Sequence, residues 1–198
     1  ASSLSLATTP LAAILPARPT GKVYETAYRP RLSDEGGRHP VTTSLHTAGK
    51  GEMIAGDPPW GRWFRLIEAE IVRGEVLMRG AEDSPLLVLD RIGAGRVAQL
   101  LSDQSWLWAR GFEGGGPQQD LLRRLVHWLM KQPDLEEESL SADANQQRIH
   151  ISRRSLAPIR GPVTIIGPDG KSEDVTLVDV GGGRATATIS VPRRGFYQ

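Results

Sequence analysis

The segment Asp103-Gln104-Ser105-Trp106-Leu107-Trp108-Ala109-Arg110 brings a carboxylate, two indoles and a guanidinium into eight residues. It directly follows an apolar run, Val97 to Leu101, and precedes Gly114-Gly115-Gly116. That places polar and aromatic groups at the carboxyl end of a strand, where α/β folds put their ligands. Two readings stand side by side. In one, Trp106 and Trp108 cap the sheet as core residues and Arg110 bonds loop carbonyls. In the other, Asp103, Trp106, Trp108 and Arg110 form a ligand-binding surface for a sugar or a peptide.

Covalent and metal chemistry have less to work with. The chain has no cysteine, which excludes a thiolate nucleophile, a thiolate metal site, an iron–sulfur cluster and a disulfide framework. The four histidines are His39, His46, His127 and His150, and none stands three or four residues from another, as two ligands on one helix face would. No G-x-S-x-G elbow occurs to expose and activate a serine. Gly93-Ala94-Gly95 echoes a dinucleotide fingerprint, but Arg96-Val97-Ala98-Gln99-Leu100-Leu101 reads as a strand where that motif needs a helix. No catalytic residue, metal or cofactor is assigned.

Composition narrows the partner. With 24 Lys+Arg dispersed among 23 Asp+Glu, the net charge of +1 makes no electrostatic case for nucleic acid. A chain of 198 residues, 39% hydrophobic, is long enough to bury roughly 70% of its unfolded surface without disulfides or metal. No apolar run reaches the length of a membrane span, and no signal peptide is visible. The expected partners are proteins or a second copy of the chain.

The elements that must position these residues follow from spacing. Pro10 suits the first turn of a short helix over Leu11 to Leu15, and the alternation from Gly21 to Leu32 predicts an exposed strand. Residues 33 to 62, rich in Gly, Pro, His and Thr, read as a long surface loop. Strands are predicted over Trp63 to Val72, Glu75 to Arg79 and Pro85 to Ile92. Leu86-Leu87-Val88-Leu89 is apolar on both faces, as in a sheet covered on both sides. Gly93-Ala94-Gly95 then turns a hairpin. A helix opens at Pro117, with Leu121, Leu122, Leu125, Val126, Leu129 and Met130 on one apolar face. Glu136-Glu137-Glu138 suits the first turn of a further short helix. From Arg148 only short strands are predicted, at Ile149 to Arg153, Pro162 to Ile166, Asp174 to Val178 and Arg184 to Val191, spaced as in an all-β sandwich. The polar stretch Ser139 to Gln147 is therefore expected to be a boundary between residues 1–140, an α/β part, and residues 147–198, a β module.

The passage Pro85 to Asp103, with Trp106 to Arg110 and the helix Leu121 to Leu129, resembles the end of a class I glutamine amidotransferase-like domain. The likeness is to the version found in large bacterial inner-membrane proteins that carry von Willebrand A-type regions. Gly37-Arg38-His39-Pro40-Val41-Thr42 and Trp60-Gly61-Arg62-Trp63-Phe64 are similar to that family too, so the resemblance spans about residues 4 to 140.

The resemblance implies a partial flavodoxin-like sheet with helices. It also implies a soluble, extracytoplasmic domain of an inner-membrane protein, touching the membrane only through parts of the parent outside this chain. Active relatives use a cysteine elbow and a His-x-Glu pair. Here Ser102-Asp103-Gln104 holds the place of that pair and no histidine stands beside Asp103, which points to a non-catalytic relative serving as an interaction or scaffold module. The alternative is an amidotransferase or related hydrolase whose nucleophile lies outside this chain. Gly195-Phe196-Tyr197 resembles the start of an immunoglobulin-type tyrosine corner. The β module is thus expected to be immunoglobulin-like, cut short at its carboxyl end, and able to self-associate as a homodimer through its open edge.

Overall fold

The computed structural model describes residues 8–45, 58–157, 161–191 and 193–198. The apolar residues Leu4 to Ala7, His46 and the loop signal at Gly56-Asp57 lie outside them. The chain divides into two compact units, Ala1–Leu135 and Glu136–Gln198.

In the first unit Pro10 opens a single 3₁₀ turn, Pro10–Ala13. Strand β1 (Ala17–Tyr24) pairs antiparallel with β3 (Leu66–Ile71) as a two-stranded ribbon. A four-stranded sheet runs in the order β2 (Arg31–Leu32), β4 (Glu75–Arg79), β5 (Pro85–Ile92), β6 (Gly95–Leu100). Its pairings are all antiparallel. These strands are therefore not the parallel centre of a flavodoxin-like sheet; the tight turns linking β4, β5 and β6 leave no length for the crossover that parallel neighbours require. β5 is the buried strand its composition predicts, with Leu86, Leu87 and Val88 fully covered and Leu89 nearly so.

The expected surface loop from 33 to 62 is, in its described part, a wall of the core. Ser33 caps a short helix, α1 (Asp34–Arg38), by accepting the Gly36 N–H at 2.9 Å. Behind it His39, Val41, Thr42, Leu45 and Trp60 are all buried. Thr42 Oγ1 donates to the Gly36 carbonyl at 2.6 Å and Arg124 donates to the Pro40 carbonyl at 2.8 Å, so the non-repeating backbone is satisfied locally and across the fold. Segments that bury side chains singly carry no period to read.

Helix α2 (Trp106–Ala109) is one turn, and α3 (Gln118–Leu129) is the long amphipathic helix. Only part of α3's expected apolar face is buried: Leu121 and Leu125 are covered, and the third buried position is Trp128 instead of Leu129. Arg96 of β6 stacks over Trp128 at 5.0 Å and donates to its carbonyl at 2.5 Å, fixing the helix against that strand.

The second unit is all β. Its four-stranded sheet runs β11 (Val178–Gly181), β12 (Arg184–Ser190), β8 (Arg148–Arg154), β7 (Ser139–Asn145), and β9 (Val163–Ile166) forms a hairpin with β10 (Ser172–Val175). Three expectations are corrected here. Glu136-Glu137-Glu138 is not helical. The stretch read as a boundary, Ser139 to Gln147, is β7 and its turn into β8; every β7 residue is exposed, so hydrogen bonding rather than apolar alternation sets its register. The single strand expected over Asp174 to Val178 is the end of β10 and the start of β11. Ile149, Ile151, Ile165 and Val175 form the core, with Leu177, Ala187, Ile189, Val191 and Tyr197 packed against it. Beyond β12, Gln198 exchanges both backbone hydrogen bonds with Ile166 of β9, at 2.7 and 3.0 Å. Among the described residues no helix is long and apolar enough to cross a membrane.

Candidate functional site

The turn leaving β6 is held from below. Ser102 is buried and donates its hydroxyl to the Arg65 carbonyl at 2.6 Å, while Tyr28 donates to the same carbonyl at 3.0 Å. Burial pushes the Tyr28 phenol above its ordinary pKa, so it stays a neutral donor. Gln104 accepts the Phe64 N–H at 2.6 Å and takes the Ser102 hydroxyl oxygen as acceptor for its own N–H at 3.2 Å. The triplet Ser102-Asp103-Gln104 is thus a brace between the start of β3 and the entry to α2.

The four candidate residues separate on this brace. Asp103 is exposed and lies 3.2 Å from Arg65 in a surface ion pair. Trp106 projects from α2 and is 52% exposed. Trp108 faces inward at 2% exposure, donates its indole N–H to the Gly61 carbonyl at 2.8 Å, and packs against Trp60 and Trp63 at ring separations of 5.1 and 4.7 Å. Trp108 is therefore a core residue, and the ligand reading fails for it. Arg110 closes α2 through its backbone, with its side chain exposed. Gly116 lies flat against the Trp108 indole, where any Cβ would collide with the ring.

Four residues outside that candidate set complete the surface. Arg62 grips both carboxylate oxygens of Glu113 through its guanidinium, with Nε at 3.0 and 2.9 Å, and its backbone N–H bonds the same carboxylate at 3.2 Å. Those bonds from Arg62 hold the Glu113 carboxyl down to about 2. Beside this pair Phe64 and Phe112 meet edge to face at 5.7 Å, and both remain more than a third exposed. Gly61 is needed under them, because a Cβ there would strike the Phe112 carbonyl. The only sequence signal was the density of Trp60-Gly61-Arg62-Trp63-Phe64; its partner segment lies about fifty residues away.

The surface can therefore offer aromatic edges, a fixed guanidinium–carboxylate pair and an exposed indole. Among the described residues no group of three or more His, Asp or Glu is placed to hold a metal. Glu35 stands four residues before His39, but the His39 ring is buried and its Nδ1 accepts the Val41 N–H at 3.1 Å. His127 is exposed on α3.

In the second unit, strand register sets Asp143, His150 and Thr188 in one row across β7, β8 and β12. His150 Nδ1 lies 3.1 Å from Thr188 Oγ1. The row lines an open hollow of about 860 Å³ with Asn145, Arg148 and Ser190. No hydrogen bond joins Asp143 to His150, so the row is a polar surface rather than an assembled relay.

Comparison of the chain with protein-family models, curated proteins and solved structures finds no match.

Proposed function

We propose that this chain is a non-catalytic interaction or scaffold module of a bacterial membrane-anchored protein, an amidotransferase-like part joined to an immunoglobulin-like part. The observation that carries the reading is the exposed Phe64–Phe112 pair set beside the Arg62–Glu113 grip, with Trp106 on the adjoining helix. Aromatic side chains and arginine dominate the binding energy of protein interfaces, because they bring large contact area with few rotatable bonds. These aromatics rest on a buried tryptophan cluster and a brace of hydrogen bonds, so little order has to be gained on binding.

The immunoglobulin-like assignment rests on connectivity. The order β11-β12-β8-β7 follows the D-E-B-A order of that sandwich, and Gln198 beside β9 takes the place of strand F beside strand C. Tyr197 donates its hydroxyl to the Arg193 carbonyl at 3.0 Å, the bond of a tyrosine corner.

A photo-crosslinking residue in place of Trp106, in the parent protein in its own cells, tests the reading. A discrete adduct with a different protein is expected from position 106 and none from Leu140, which is exposed as well but far along the chain. No adduct at 106, or hydrolysis of glutamine by the purified chain above a blank, would overturn it.

A further inference from the structure

Strand β7 is an outer strand of the second unit's four-stranded sheet, and all seven of its residues are exposed. Its register with β8 runs unbroken from Ser139 opposite Arg154 to Asn145 opposite Arg148, with Gln146 and Gln147 as the two-residue turn. Such a turn closes on a hydrogen-bonded pair, so Ser139, Ser141, Asp143 and Asn145 direct their backbone groups at β8. The N–H and C=O groups of Leu140, Ala142 and Ala144 point away from the sheet and take no backbone partner among the described residues. Two other edges of this unit are guarded. β11 has four residues and a break in register between Asp179 and Gly181, and β10 has four residues that include Glu173 and Asp174. β7 has no proline, lysine, glycine or bulge, the devices that keep an edge from pairing.

We infer that β7 is where two copies of this chain meet, edge to edge and antiparallel, about a two-fold axis at Ala142. The outward backbone groups call for an extended strand, and β7 fits its own edge. With Ala142 opposite Ala142 of the partner subunit, Leu140 falls opposite Ala144 of the partner subunit and every position of the strand is matched. The outward residues of the two copies then exchange roughly six backbone hydrogen bonds. On the outer face Ser141 comes opposite Asp143 of the partner subunit, twice over, a hydroxyl donor against a carboxylate. Ser139 meets Asn145 of the partner subunit, and past the strand Glu138 meets Gln146 of the partner subunit, so no like charges are directly opposed. The two Asp143 carboxylates lie on a diagonal, about 7–8 Å apart, each beside the His150 of its own copy. Moving the axis to Asp143 would set those carboxylates face to face, and moving it to Ser141 would set Ala144 against Glu138 of the partner subunit. On the other face Leu140, 60% exposed, lies with Ala142 and Ala144 on the side of the sheet that carries Ile149 and Ile151, and pairing continues that apolar side. Fit in length and charge thus identifies a second copy as the occupant.

Size sets the strength. A strand of this length spans about 24 Å. One strand edge buries less than the roughly 800 Å² per partner of a stable interface, so the dimer is weak and reversible, populated at roughly a few hundred micromolar. The edge is not the carboxyl-terminal one expected from the sequence, where Gln198 is already bonded to Ile166. The contact rests neither on a partner at the α2 surface nor on the immunoglobulin-like assignment.

Sedimentation of the full chain up to several hundred micromolar is expected to show a monomer–dimer equilibrium. Ala142→Pro removes an outward N–H, where an edge strand tolerates proline, and Ala142→Lys sets two ammonium groups at the axis. Both should keep the circular dichroism of the native chain and lose the dimer. Ser141→Lys, opposite Asp143 of the partner subunit, should tighten the dimer at least about threefold, and Ser141→Asp should weaken it by a similar factor. Because the chain has no cysteine, Ala142→Cys supplies a single thiol at the axis. Cα atoms about 5.5 Å apart there lie within the span of a disulfide. It should form a disulfide dimer at least about tenfold faster than Val178→Cys, which is also exposed. Three outcomes overturn the inference. One is a monomer throughout, with Ala142→Cys cross-linking no faster than the control. Another is a dimer that Ala142→Lys leaves intact, which would point to a different surface. The third is a dimer indifferent to the charge at position 141, which would rule out this register.

Discussion

Arg62 holds Glu113 across 51 residues of chain, and Glu113 sits in the left-handed backbone region at φ +48° while it is held. A non-glycine residue there is strained, and the two-oxygen grip offsets the cost while fixing the loop that carries Phe112.

That grip makes the first unit sensitive to acid. Glu113 is held at about 2 by its bonds from Arg62, and Glu68 at about 2 by bonds from Thr20, then Tyr24, with Lys22 also in reach. A carboxyl whose folded pKa is depressed stabilises above its unfolded value, here 4.5, and loses that contribution as pH falls toward the folded value. The melting temperature should change little from pH 7 to 5 and fall between about pH 4.5 and 2. The double variant Glu68→Gln, Glu113→Gln should flatten that fall; an unchanged slope would show that other groups govern it.

The two leucines on opposite sides of the α3 burial line should part company. Leu125→Ala is expected to cost about 2–5 kcal/mol, the range for truncating a buried leucine. Leu129→Ala, at a position 39% exposed, should cost less than about 1 kcal/mol. Urea titration of both variants decides it, and equal losses would mean that α3 is rotated from the orientation described.

Gly116 tests the tryptophan cluster. Gly116→Ala forces a methyl into the Trp108 indole and should cost about 1–3 kcal/mol, with a change in tryptophan emission as the ring is displaced. Unaltered emission and stability would place slack where the structure has contact.

In the second unit Tyr197→Phe removes only the hydroxyl that bonds the Arg193 carbonyl. A loss of about 0.5–1.5 kcal/mol is expected, with the ring still packed on the core. No measurable change in denaturant midpoint would remove the support this bond lends to the immunoglobulin-like reading.

Purified chain should hydrolyse no glutamine, because it has no thiol to attack the amide. A chelator should likewise leave its melting temperature where it was. Turnover that survives repurification, or a drop of several degrees, would contradict these expectations.

Local pattern was enough for the elements whose burial repeats along the chain. β4 and β5 lie where their residues predict, because alternation and a continuous apolar run report a strand's own two faces. Pro117 and the leucine spacing likewise locate α3, and Gly93-Ala94 turns the hairpin into β6. The missing cysteines bound the chemistry before any coordinate is known. By itself, then, the sequence determined β4, β5, the hairpin turn into β6 and the long helix α3, and that thiolate chemistry is excluded for this chain.

Only the tertiary structure decided which indole is core and which is surface. Trp106 and Trp108 are two residues apart, and on a one-turn helix that separation puts them on different sides; what selects the buried one is the Gly61 carbonyl, far away in sequence, with Gly116 flat beneath the ring. The same holds for α3, where six apolar residues satisfy one spacing rule and the width of the surface beside β6 covers just part of them, so Trp128 is buried and Leu129 is not. Polar edge strand β7 and the Arg62–Glu113 grip leave no periodic trace, since each depends on a partner that only folding brings near. Periodicity records how a segment meets its environment on average, whereas a site is made by single contacts between segments, and those contacts exist only once the chain has closed on itself.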